Sequence, residues 1–154
     1  MRHITPVLCS TAAVLAMAAC GSEGGASTNA SQPSVFPLTI TRVGGVAGFH
    51  DVLVVASYGL VSVTQKGKTQ RQCRLTAEAA KRLTTAASTV PWPRLTPGST
   101  SASFPDDMVT MVVSPAGGPV RVEDPQVGAA GPVFNELVND LNGGRSASGT
   151  CTPL

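Results

Sequence analysis

Aromatic residues are nearly missing from this chain: one Trp, one Tyr and four Phe stand among 154 residues. A core built from it must rest on Val, Leu and Ala. Charge is scarce too, at 13% of residues with a formal excess of +2, and Arg2 lies in a segment expected to be removed. That near balance excludes the basic stripe that nucleic-acid binding requires. Histidine occurs only at positions 3 and 50. With so few ligands at scattered positions, neither a metal centre nor a cofactor is expected. Neither H-E-x-x-H nor G-x-S-x-G occurs, and no serine nucleophile with an oriented base is legible. The chain therefore reads as a non-enzyme. His50 and Asp51 are adjacent, so on an extended strand they would point to opposite faces. Asp106 and Asp107 follow a proline and read as the solvated start of a strand.

Long hydrophobic runs are lacking as well. The longest, Val7 to Ala19, is too short and wrongly flanked to span a membrane. With Arg2 before it and Cys20 after it, the run has the layout of a secretory signal. Ala18-Ala19-Cys20 looks like a bacterial lipobox, with Met17 where Leu is usual. In such lipoproteins the cysteine is diacylated and becomes the new N-terminus, and two acyl chains anchor stably. The alternative is an ordinary secretory signal with an incidental cysteine. The next stretch, GSEGGASTNASQPS, holds too little apolar surface to repay its ordering entropy and reads as a flexible tether. The expected organisation is a signal peptide over 1–19, a lipidated Cys20 and linker over 20–34, and one folded domain over 35–154. The expected location is the outer side of the cell membrane, held by lipid.

Cysteine is sparse, four in all, and its placement is informative. Cys9 leaves with the signal and Cys20 carries lipid, so Cys73 and Cys151 remain. An extracytoplasmic compartment favours their pairing, the alternative being two free thiols. A bridge would staple the tail GGRSASGTCTPL, which has no other visible hold. Closing so long a loop is worth on the order of 4 kcal/mol in the chain-entropy model.

Within 35–154 the hydrophobic period switches twice. FPLTITRV alternates as a half-buried strand, and DVLVVAS and LVSVTQ form a hairpin across Tyr58-Gly59. Lys66-Gly67-Lys68 turns toward a short strand near Gln70 to Arg74. Thr76 then caps a helix in which Ala79, Leu83 and Ala87 recur every four residues, until Pro91 and Pro93 stop it. DMVTMVV and PVRVE make a second hairpin across SPAGG. The last helix opens at Pro132 and carries Phe134, Leu137, Val138 and Leu141 on one stripe, with Gly143 and Gly144 ending it. The fold class is α+β: an antiparallel sheet of four to five strands with two helices on one face.

The glycine cluster RVGGVAGF falls between two strands. A phosphate cradle needs its glycines between a strand and a helix, so that reading fails. Its remaining roles are a tight β connection with Phe49 packed on the core, a displayed loop, or both.

The arrangement resembles emfourin-like proteins, small bacterial inhibitors of thermolysin-like metalloproteases that include the protealysin inhibitor. The resemblance runs from Leu38 to about Leu141. Its most specific element is the strand followed by R-x-G-G-x-x-G-F, here Arg42, Gly44, Gly45, Gly48 and Phe49. It implies an inhibitor whose candidate protease-contact loop is formed by those residues. The lipobox, the tether and the Cys73–Cys151 pair are additions to that pattern. The competing class is a non-inhibitory cell-envelope lipoprotein that binds a ligand or a protein partner.

Overall fold

The computed structural model describes residues 34–96, 107–142 and 149–154. Cys20, Asp106, Gly143 and Gly144 lie outside the described residues, as do the expected signal peptide over 1–19 and most of the expected linker over 20–34. All described residues belong to one compact unit, Ser31–Leu154.

The chain runs through β1 (Leu38–Gly44), β2 (Phe49–Val55), β3 (Leu60–Gln65), β4 (Arg71–Leu75) and α1 (Ala77–Thr89). A 3₁₀ turn (Trp92–Arg94) follows, then β5 (Met108–Ser114), β6 (Gly117–Arg121), α2 (Ala130–Asn142) and β7 (Cys151–Pro153). The strands form one antiparallel sheet in the order β6-β5-β1-β2-β3-β4-β7. The class is α+β as expected, but the sheet has seven strands rather than four to five. β7 could not be read locally: of its three residues only Cys151 is buried, so no alternation marks it. Cys73 and Cys151 are placed as a disulfide, their Cα atoms 5.7 Å apart, and the tail is also held by Thr150, whose hydroxyl donates to Asp140 Oδ2 and whose carbonyl accepts from the Thr76 N–H.

Alternation places Leu38 and Ile40 of β1, Leu53 and Val55 of β2, Val61 and Val63 of β3, and Val112 of β5 on one face. That face forms a single core with Leu83 and Ala87 of α1 and Phe134, Leu137 and Val138 of α2. Thr76 caps α1, its hydroxyl accepting from the Ala79 N–H at 3.3 Å. Helix α2 starts at Ala130, two residues before Pro132, which still falls in the first turn where a missing N–H costs nothing. Trp92 ends the first helical segment by turning inward. Its indole N–H donates to the Ala87 carbonyl at 2.8 Å, and its ring lies 6.4 Å from Phe134. Two of the few aromatics thus meet where α1, the 3₁₀ turn and α2 converge.

The direction of β1 sets where the glycine turn lies. The strand begins beside the first described residues and runs to Gly44, so the β1–β2 turn lies at the opposite end of the sheet. Seven extended residues separate the two ends by about 20 Å.

Candidate functional site: the β1–β2 tip

The glycines of the tip are there for backbone reasons. Gly44, Gly45 and Gly48 have φ of 90°, 72° and 60°, values that side-chain-bearing residues adopt only with strain. The Gly48 N–H donates to the Gly45 carbonyl at 2.8 Å and closes the turn. The Gly45 N–H donates to the Asp107 carbonyl at 3.1 Å, which ties the turn to the start of β5. A Cβ on Gly44 would stand 2.2 Å from that same carbonyl oxygen, so the close approach admits glycine alone. At Gly45 a Cβ would make only ordinary contacts, 3.5 Å from the Phe49 ring and 3.6 Å from Met108.

Those two neighbours are exposed. Phe49 is 39% accessible, Met108 49%, and Val46 at the apex 90%. Three apolar side chains from two segments therefore cluster around a turn whose backbone is fixed. Lys66 belongs to the same end: its ammonium nitrogen stands 3.8 Å from where a Gly48 Cβ would be, and its backbone N–H donates to the His50 carbonyl.

Beneath the tip the inner face of the sheet turns polar. Arg42 pairs in register with Asp51, and Asp51 with Gln65. The Arg42 Nε and Nη2 donate to Asp51 Oδ2 at 2.9 and 2.6 Å, with both residues buried. Helix α2 closes the pair from above. Arg42 Nη1 donates to Asn139 Oδ1 at 3.2 Å, and Asn142 Nδ2 donates to Asp51 Oδ2 at 3.0 Å. Gln65 donates to Asn142 Oδ1 at 3.1 Å. Arg71 donates to Gln65 Oε1 and to the Leu141 carbonyl, serving the end of α2. Finally, the Phe49 ring lies over the Arg42 guanidinium, 4.3 Å from its carbon to the ring centroid.

The five residues singled out from the sequence thus divide. Gly44, Gly45 and Gly48 shape the tip, and Phe49 is partly displayed. Arg42 faces inward and supports Phe49 from below. As alternation requires, His50 is exposed while Asp51 is buried. Sequence reasoning missed Val46, Met108, Asn139, Asn142 and Gln65. Only the first had a signal, as the one bulky residue inside the glycine cluster.

Two other features are weaker candidates. A groove of about 210 Å³ between α1 and α2 is lined by Glu78, Arg82, Glu136 and Asp140 over Leu83 and Leu137. Its volume falls below the usual range of about 300–1,000 Å³ for small-molecule sites. Arg82 is spoken for by Glu136, whose hydrogen bond raises the guanidinium above its ordinary value. The sheet's outer face carries Val54 and Val113, each little more than a third exposed. Among the described residues no group of three His, Cys, Asp or Glu is placed to hold a metal ion. No described helix is long and apolar enough to cross a membrane. Neither the family models, nor the curated proteins, nor the solved structures compared with this chain give a match.

Proposed function

We propose that the protein is a lipid-anchored, extracytoplasmic binding module that presents its β1–β2 tip to a protein partner and acts without catalysis of its own. The partner class follows from the resemblance: a thermolysin-like metalloprotease, inhibited when the tip occupies its cleft. The observation that carries this reading is the tip itself. Exposed Val46, Phe49 and Met108 surround a turn held by three positive-φ glycines and by a buried ion pair. Apolar side chains on a preordered turn gain contact on binding while losing little entropy. Lipidation at Cys20 rests on the lipobox, and it suits the orientation. The described chain enters at the end of the sheet opposite the tip, so an anchor ahead of Ser34 attaches away from the tip.

The experiment is to add the domain 31–154 to a thermolysin-like metalloprotease acting on a peptide substrate. Inhibition by the unmodified domain, lost in Val46→Asp at unchanged melting temperature, is the expected result. Val46 is the cleaner probe, because Gly45→Arg would add backbone strain at φ 72° to any effect on binding. A domain that leaves every such protease uninhibited, including those of its own cell, returns the protein to the class of non-inhibitory envelope modules.

A further inference from the structure

The tip does not stand alone at its end of the sheet. The β3–β4 turn emerges beside it, because β1 and β3 run in the same direction with β2 between them. That turn carries Lys66 and Lys68, both exposed, and His50 is exposed on the adjoining strand. From Val52 to Ala77 the sequence contains no Asp or Glu. Of the two acidic residues described near the tip, Asp51 is buried against Arg42, and Asp107 is half-buried at the start of β5, where its backbone carbonyl accepts from the Gly45 N–H. On the side of the β3–β4 turn the exposed apolar trio Val46, Phe49 and Met108 is flanked by lysines.

We infer that this end of the sheet is one composite docking surface, an apolar plug with a cationic flank, and that its partner presents an apolar recess bordered by carboxylates. This rests on the reading of the tip as the protein-docking site and adds to it the chemistry of the surface that receives it. Charge complementarity assigns the acidic border. An anionic lipid surface has similar chemistry, but the apolar side chains stand on a turn of fixed backbone, tied to β5 through the Gly45 N–H and the Asp107 carbonyl, and a preordered surface of that kind favours a shaped protein recess.

The two parts of the surface act at different stages of binding. Exposed lysines steer the encounter and set its salt dependence, whereas the apolar contacts govern how long the complex lasts. The test is the kinetics of inhibition of a thermolysin-like metalloprotease by domain 31–154, by Lys66→Glu/Lys68→Glu and by Val46→Asp. The charge reversal should slow association about tenfold at low salt, and the difference should largely vanish near 0.5 M salt, where the screening length is about 4 Å. Val46→Asp should instead speed dissociation. Both lysines are exposed, so melting temperature should not change. If the unmodified domain inhibits and the charge reversal changes neither rate nor salt dependence, the acidic border is refuted while the inhibitor reading stands. Tighter binding by the reversed variant would likewise overturn it. Absence of inhibition removes both. Binding of the domain to phosphatidylglycerol vesicles through the same lysines and Val46 would replace the protein partner with a membrane surface.

Discussion

Asp51→Ala is the substitution that most directly tests how the tip is supported. Asp51 Oδ2 accepts from Arg42 Nε, Arg42 Nη2 and Asn142 Nδ2 at 2.9, 2.6 and 3.0 Å. The side chains of the ion pair are 8% and 4% exposed, so water cannot readily replace the lost acceptor. Breaking a buried pair by removing one partner leaves an uncompensated charge and costs about 3–5 kcal/mol. For a domain of this size each kcal/mol shifts the midpoint by about 3–5 °C, so the melting temperature should fall by about 10–20 °C. Arg42→Met/Asp51→Leu removes both charges and keeps an apolar support under Phe49. Its cost should be smaller, about 1–3 kcal/mol, set by Asn139 and Asn142 losing a partner each. The single and double variants should therefore be strongly non-additive, by about 2 kcal/mol or more. Thermal unfolding followed by circular dichroism measures all of this. An Asp51→Ala cost below about 1 kcal/mol, or additive singles, would refute the claim that the pair is buried and interdependent. The same double variant separates two roles for Arg42. Retained inhibition means that it positions Phe49 from below, and lost inhibition in a folded protein means that it touches the partner.

Two predictions concern what holds the protein in place and together. Cells fed labelled palmitate should incorporate label into the protein, and Cys20→Ser should abolish it; label that persists in the serine variant would remove the lipobox assignment. Non-reducing peptide mapping should recover Cys73 linked to Cys151. Reduction should free β7 and cost on the order of 4 kcal/mol, since the bridge spans a separation of 78 residues. Unchanged thermal stability after complete reduction would mean that the ladder with β4 and the hydrogen bonds of Thr150 to Thr76 and Asp140 hold the tail without the bridge.

Much of this fold is legible in the sequence because its signals are local. The alternation in β1, β2, β3 and β5, the Thr76 cap, the proline stop after α1 and the stripe on α2 each depend on residues within a few positions of one another. The glycine cluster is legible as a turn for the same reason, since positive φ at Gly44, Gly45 and Gly48 is a property of single residues. Other features depend on residues far apart. Asn139 and Asn142 reach Arg42 and Asp51 across 97 and 91 positions, and no periodicity reports such a meeting. Placed on one strand face with Leu38 and Ile40, Arg42 is turned inward by pleat parity, which a reading of the motif R-x-G-G-x-x-G-F by residue type overlooks. β7 meets β4 across a separation of 78 residues at the cysteine pair, and it has too few residues to carry a pattern. The sequence alone determined the α+β class, the candidate bridge, and the turn as a special stretch of backbone. Only the tertiary structure decided which of its residues are displayed. Exposure depends on what packs behind each side chain, and behind this tip that is a helix whose first residue comes 82 positions after Gly48.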